Sequence, residues 1–202
     1  MPAIGITGGI STGKTTFCDC LRELVPVAKF FDADQAAREL VDLNPEVKKE
    51  LAAEFGSGIF SSNGRLNRER LRAIIFQKAA KKSALEQILH PRIRQQWSAQ
   101  AKTSSSQFFF ADIPLLYETG GETLCDRVVV VASSPSVQLS RLLQRKRIER
   151  NAAEEMIKSQ MPLAEKISRA DHVVWNNGER GVLKEQAKLL VDLWREEPWT
   201  RI

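Results

Sequence analysis

Residues 8–15 read Gly-Gly-Ile-Ser-Thr-Gly-Lys-Thr, a string of the form G-x-x-x-x-G-K-[ST], and they follow the short apolar run Ala3–Thr7. A strand that enters such a loop and leaves it as a helix has few ways to fold. The chain must wrap so closely that successive backbone N–H groups point at one spot, and the following helix adds the positive end of its dipole there. A turn lined in this way takes phosphate oxygens, with Lys14 reaching the β- and γ-phosphates and Thr15 offering its hydroxyl to Mg²⁺. The residues assigned to a nucleotide are Gly9, Ser11, Thr12, Gly13, Lys14, Thr15 and Thr16. The other reading of the string is an ordinary glycine turn ahead of a helix.

Beyond the loop, strand-like and helix-like stretches alternate, the pattern of a parallel sheet covered by helices. A helix is predicted over about residues 13–24, with Phe17, Leu21 and Leu24 on one face and Pro26 closing it. Val27–Phe31, ending at Asp32, predicts a second strand, and Gln107–Ile113, ending near Asp112, a buried third. Arg127–Ala132, with four successive valines, predicts a fourth, and His172–Trp175 a short fifth. Between the second and third strands the chain is too long for a simple crossover. Asn44-Pro45 opens a helix carrying Val47, Leu51 and Phe55, and the glycine- and serine-rich residues 56–64 break it. Asn67 is the expected cap of a helix with Leu71, Ile74 and Ile75. Ser83 is the expected cap of another through Leu85, Ile88 and Leu89, which ends at His90-Pro91. Residues 66–102 read as a helical insertion, 103–106 as a polar linker, and 135–167 as a second helical excursion. That leaves a core of residues 1–65, 103–134 and 168–202. The expected fold class is α/β, a five-stranded parallel core behind a phosphate loop, with two helical insertions. Kinases of small molecules need such inserts to shield the phosphoryl donor from water.

With 202 residues the chain holds one such core and its appendages, and not two full domains. Its net charge of +5 suits a protein that handles anions without choosing between nucleic acid and polyphosphorylated small molecules. No apolar run reaches the ~18 residues of a membrane span, and Met1 leads into the first strand without a basic leader. The cysteines, Cys18, Cys20 and Cys125, are odd in number and lack framework spacing, which predicts a reducing cytoplasm and a packing role.

Several residues outside the loop could carry chemistry. Asp32 and Asp34 follow the second strand, where ligand-contacting groups gather in open α/β sheets. A carboxylate there could take the proton of an acceptor hydroxyl during phosphoryl transfer, or the pair could simply cap a helix. Asp112 ends a bulky apolar strand, as a Mg²⁺-orienting carboxylate does, although a turn aspartate would look the same; Glu118 is a weaker candidate. The second excursion is rich in Arg141, Arg145, Arg147 and Arg150, with Gln138, Arg141 and Arg145 along one stripe. These could neutralise a transferring phosphoryl group or merely form a solvated basic face. His90 and His172 have no metal-ligand spacing, and Trp97, Trp175, Trp194 and Trp199 read as packing residues.

In order and separation these strings resemble the dephospho-coenzyme A kinase family. The matching stretches are Gly5-Ile6-Thr7-Gly8-Gly9-Ile10 with Gly13-Lys14-Thr15, Asp32-Ala33-Asp34 with Ala37-Arg38, and Leu85, Ile88, His90-Pro91 and Ile93-Arg94. They continue with Asp112 to Glu118, Val128–Val131, Gln138, Arg141, Arg145, Gln160, Lys166, Ala170-Asp171, Asn176 and Gly178. The resemblance implies a P-loop NTPase core with a helical substrate-binding insertion at residues 66–102 and a helical lid at 135–167, and ATP-dependent phosphorylation of the ribose 3′-hydroxyl of dephospho-CoA, with Mg²⁺. Asp32 would be the general base, and Lys14, Arg141 and Arg145 would steady the phosphoryl group. Asn176 would lie near the ATP base, and Thr15 and Asp112 would serve the metal. It implies small-molecule partners, no nucleic acid or membrane, and a monomer or small homo-oligomer. Against a GTP-binding switch, the chain has no Asn-Lys-x-Asp string and no Asp-x-x-Gly after the third strand. A nucleic-acid-stimulated ATPase would instead show affinity falling steeply with salt. Another nucleotide or nucleoside kinase differs only in its acceptor. Family members usually have Gly-Gly-Ile-Gly-Ser-Gly-Lys-Ser, whereas Ser11 and Thr12 stand here in place of glycine and serine. Tyr117 replaces phenylalanine, and Lys146-Arg147 follows Arg145 where aspartate or glycine is common.

Overall fold

The computed structural model describes residues 2–77, 79–146, 148–196 and 199. The strands β1 (Ala3–Gly8), β2 (Lys29–Asp32), β3 (Phe109–Asp112), β4 (Arg127–Ala132) and β5 (His172–Trp175) lie in the order β2-β3-β1-β4-β5. The β1·β3, β1·β4 and β4·β5 pairs are parallel. The first strand of the sequence is therefore the middle strand of the sheet, and all six of its residues are buried.

The chain divides into two compact units, Met1–Phe31 with Gln100–Ile202, and Asp32–Ala99. In the first, strand alternation decides what faces what. Ile4 pairs with Phe110, and Ile6 with both Asp112 and Val129, so these side chains share one face of the sheet. Onto it pack Phe17, Cys18 and Leu21 of α1 (Lys14–Leu24) and Leu183, Ala187, Val191 and Trp194 of α9 (Arg180–Glu196). Asp112 thus sits on the α1 side. The opposite face is equally close-packed. A methyl group on Gly5 would come within 2.7 Å of the Cys125 sulfur and 2.8 Å of Leu116, and the Thr7 hydroxyl donates to the Pro114 carbonyl at 3.0 Å. The same unit contains α6 (Pro135–Lys146), α7 (Arg150–Lys158) and α8 (Leu163–Ser168).

The second unit is helical: α2 (Ala33–Leu43), α3 (Pro45–Phe55), α4 (Arg68–Gln77) and most of α5 (Ala79–Thr103). Asn44 ends α2 and caps α3, its Oδ1 accepting from the amides of Glu46 and Val47 with Pro45 at the first helical turn. Asn67 likewise accepts from Arg70 N–H. Leu40, Val41, Val47, Leu51, Ile59 and Leu71 form one buried cluster, with Ile74, Ile75, Leu85, Ile88 and Leu89 packed against it. Residues 66–93 therefore share their core with α2 and α3.

The structure corrects several boundaries. Val27 is not in a strand: the Ala28 amide closes a turn on the Val25 carbonyl, so Lys29 is the first residue to reach the sheet, donating to Phe108 O at 3.1 Å. Pairing of β3 likewise starts at Phe109, whose amide donates to Pro2 O. Ser83 caps nothing and Pro91 ends nothing, because α5 runs through both. Proline removes one helix hydrogen bond, and tertiary contacts carry the helix past it. Arg92 donates to the Ile88 carbonyl one turn back at 2.7 Å and to Glu50 of α3 at 2.7 Å. Among the tryptophans, Trp97 and Trp194 are buried, and Trp199 packs on Phe108 and donates to Trp194 O at 2.7 Å. Trp175 departs from the packing expectation, at 48% exposure on the last residue of the edge strand β5.

Candidate functional site

β1 ends at Gly8, and residues 9–13 turn through a nest before α1 begins at Lys14. The turn is closed from within by Thr12, whose amide and hydroxyl both donate to the Gly9 carbonyl, at 3.3 and 2.9 Å. Two residues of the turn are left-handed, Ser11 at φ 59° and Gly13 at φ 92°. Such an alternation brings backbone N–H groups to one side as an anion cradle. Gly13 is doubly required, because a methyl group there would fall on the Asn176 side-chain amide.

The carbonyls of the turn are held from outside. The Asn176 carboxamide, 6% exposed, donates to Thr12 O at 2.9 Å. Gln138 Nε2 donates to Ile10 O at 2.8 Å, and Gln160 Oε1 accepts from Ile10 N–H at 2.9 Å. Arg141 lies alongside, its guanidinium donating to the Asn176 backbone carbonyl at 2.8 Å. Arg145, one turn further along α6, is exposed. Arg147 is outside the described residues.

Lys14, in the first turn of α1, is ion-paired with Asp112 Oδ1. Cys18, four residues on and so on the same helix face, donates its thiol to Asp112 Oδ2 at 3.6 Å. Burial first, and the neighbouring Asp112 charge second, push the Cys18 thiol far above its ordinary value and keep it protonated, as a donor must be. The packing role expected of Cys18 thus comes with a hydrogen bond to the strand-end carboxylate. Thr15 is exposed and Thr16 half-buried, both on α1.

Behind the loop lies a wholly buried ammonium. Lys166 of α8 donates to Pro114 O at 2.9 Å and to Gly8 O at 3.5 Å, and it pairs with Glu118 at 2.8 Å. Burial draws its pKa below the usual lysine range, with Glu118 opposing that shift. The Glu118 carboxylate oxygen also takes the Met161 amide at 3.0 Å. Beside this knot, Arg169 stacks over the Tyr117 ring at 4.4 Å and pairs with Glu122.

In the other unit Asp32 is exposed. It ends β2 and caps α2, Oδ1 accepting the Gln35 amide at 2.9 Å. The capping alternative for Asp32 is therefore realised, through one of its two oxygens. Asp34 lies in the first turn of α2.

The loop residues, Lys14, Asp112, Asn176 and Arg141 thus come together in one unit. Cys18 and Lys166, and the action of Gln138 and Gln160 on the loop, were not foreseen. For Cys18 a signal existed, its four-residue spacing from Lys14; for the others nothing local pointed to the loop.

Ser11, which stands where the family usually has glycine, lies at φ 59°. The left-handed region costs an ordinary residue about 1 kcal/mol, and the buried Ser11 hydroxyl has no hydrogen-bond partner. Ser11→Gly should leave ATP affinity within about twofold and raise stability by up to about 1 kcal/mol, less what glycine adds to unfolded-chain entropy. Urea melts and ATP titration would test this, and a severe loss of ATP affinity would show the serine to be adapted.

The model of the dephospho-CoA kinase family matches residues 2–181 of this chain. The dephospho-CoA kinase of Geobacillus kaustophilus (strain HTA426) is 38% identical over 195 residues, 95% of this chain and 96% of that one. Among solved structures, a Thermus thermophilus protein superposes with a TM-score of 0.79 at 29% identity, covering 98% of both chains. The dephospho-CoA kinase from Campylobacter jejuni does so with a TM-score of 0.69 at 27% identity, over 96% of this chain and 97% of its own. Because these matches take in the loop, the sheet and the intervening helices alike, the likeness is not confined to one motif, and the chain belongs to the dephospho-CoA kinase family.

Proposed function

We propose that the chain transfers the γ-phosphoryl group of ATP to the ribose 3′-hydroxyl of dephospho-CoA, giving CoA and ADP. The observation that carries this reading is the nested turn of residues 8–15 opening onto Lys14 in a chain of this family. Phosphoryl transfer asks the protein for positioning and charge stabilisation rather than for covalent chemistry of its own. The acceptor oxygen attacks the γ-phosphorus, the bond to the β-phosphate oxygen breaks, and the acceptor proton leaves to a base.

Each residue has a task in this reaction. Inward N–H groups of the loop hold the phosphates, and Lys14 neutralises charge on the β- and γ-oxygens. Arg141, fixed beside the loop by the Asn176 carbonyl, steadies the transferring group, and Arg145 adds charge from the next turn of α6. Asp32 accepts the proton; its capping bond occupies one oxygen, and the carboxylate has another. Residues 66–102 supply the acceptor's binding surface, and 135–167 form the lid.

Thr15 and Asp112 fit Mg²⁺: a hydroxyl and a carboxylate are hard oxygen donors, and Mg²⁺ on nucleotides uses only one or two protein ligands. When bound, the ion neutralises charge on the phosphates. The setting we propose is the cytoplasm. The cysteines are unpaired, and no described helix is long and apolar enough to cross a membrane.

The reading is tested by offering γ-labelled ATP with dephospho-CoA, adenosine, AMP or CMP and locating the new phosphate by NMR. Label should appear on the 3′-oxygen of dephospho-CoA. Faster transfer to any of the other three would make the chain another nucleotide or nucleoside kinase of this fold.

A further inference from the structure

Ile10 of the phosphate loop is held through both its N–H and its C=O, one on each of the two peptide units that it joins. Its N–H donates to Gln160 and its C=O accepts from Gln138. The backbone settles the polarity of both contacts, since an amide N–H can only donate and a carbonyl can only accept. Gln160 is therefore an acceptor here and Gln138 a donor. Gln138 is 5% exposed, and it reaches the loop because Gly9 leaves room: a methyl group on Gly9 would stand 2.7 Å from Gln138 Nε2.

These contacts control where the loop's free N–H groups point. The peptides are all trans, so a carbonyl and the N–H that follows it aim in opposite directions. Drawing the Ile10 carbonyl outward to Gln138 turns the Ser11 N–H inward. Drawing the Thr12 carbonyl outward to Asn176 does the same for Gly13. Between these two peptides Ser11 is held left-handed, a conformation serine does not choose unaided. Without an outside hold on Ile10, the easiest relaxation of Ser11 would rotate an inward-facing N–H away from the phosphates.

We propose that Gln138 and Gln160 are positioning residues that aim the phosphate cradle through the two sides of Ile10, and that they hold Ser11 in its left-handed conformation. Both come from the helical excursion of residues 135–167, Gln138 from α6 and Gln160 from the segment between α7 and α8. The excursion thus shapes the nucleotide site from behind as well as supplying arginines to it. The proposal rests on the reading of residues 8–15 as a phosphate cradle.

The opposite polarities allow a test in which one substitution should give two outcomes. Gln160→Glu keeps the acceptor for Ile10 N–H, whereas Gln138→Glu loses the donor and sets a carboxylate against a carbonyl. Both add the same negative charge near the loop, so repulsion of the triphosphate is common to the pair. In the full-length protein, ATP affinity and kcat/KM for ATP should fall about tenfold further in Gln138→Glu than in Gln160→Glu. KM for dephospho-CoA should stay within about twofold of wild type in both. ATP affinity of Gln138→Glu, relative to wild type, should recover from about pH 8 to about pH 5, because a protonated carboxyl can donate to the Ile10 carbonyl. Gln160→Glu should show no such recovery.

Equal losses in the two variants, or equal losses for ATP and dephospho-CoA, would overturn the proposal while wild-type ATP binding stands. A wild-type protein that binds no ATP would overturn the cradle reading and this one together. If Gln138→Glu does not fold, Gln138→Met removes the donor without charge. It must still weaken ATP more than dephospho-CoA, or the proposal fails.

Discussion

Replacing Lys14 with alanine should lower phosphoryl transfer to dephospho-CoA by at least about a hundredfold, the scale seen when one charge-stabilising donor is removed from a transition state. Lys14 stands in the first turn of α1, at the mouth of the nest, where its ammonium is already ion-paired with Asp112. The substitution has a second effect. The side chains of the pair are only 13% and 11% exposed, so the variant leaves Asp112 nearly buried, with the Cys18 thiol as its remaining donor. Stability should therefore fall by up to a few kcal/mol, and the kinetic comparison must be made below the variant's melting transition, with circular dichroism confirming the fold. Near-normal turnover under those conditions would remove the phosphate-loop assignment.

Asp32→Asn should reduce kcat by about a hundredfold or more and leave both KM values within a few-fold, because a general base acts in the transition state and not in substrate binding. The structure makes asparagine the informative replacement. Asp32 Oδ1 caps α2 through the Gln35 amide, and asparagine caps a helix about as well as aspartate. The variant thus keeps the helix start and discards only the proton acceptor. Alanine would remove both and confuse them. If kcat is unchanged in Asp32→Asn, the residue is a cap and the base lies elsewhere.

What could be read in the sequence follows from how local each feature is. The β1–loop–α1 unit was legible because its determinants are adjacent: an apolar run, a glycine at positive φ, and Phe17 and Leu21 at helical spacing. Asp112 was legible for a related reason, since a strand-end carboxylate after bulky apolar residues says which edge it occupies. Ser83 and Pro91 misled because breaker and cap rules describe an isolated helix. In α5 the burden passes to the bond from Arg92 to Glu50 and to the packing of Ile88 and Leu89 on the apolar cluster of α2 and α3, partners that lie far from Pro91 in sequence. The action of Gln138, Gln160 and Asn176 on the loop was illegible. They lie 128, 150 and 164 residues from the loop atoms they hold, and no neighbouring residue marks a carboxamide as reaching so far.

The middle position of β1 has a consequence for how the protein is made. Its sheet neighbours are β3 and β4, and the turn that follows it is gripped by Gln138, Gln160 and Asn176. This stretch therefore waits, without its partners, until β3, β4, Gln138, Gln160 and Asn176 have been made. A nascent polypeptide stalled anywhere between the loop and Asn176 should have no competent grip on a triphosphate, even though the string that recognises it is already complete.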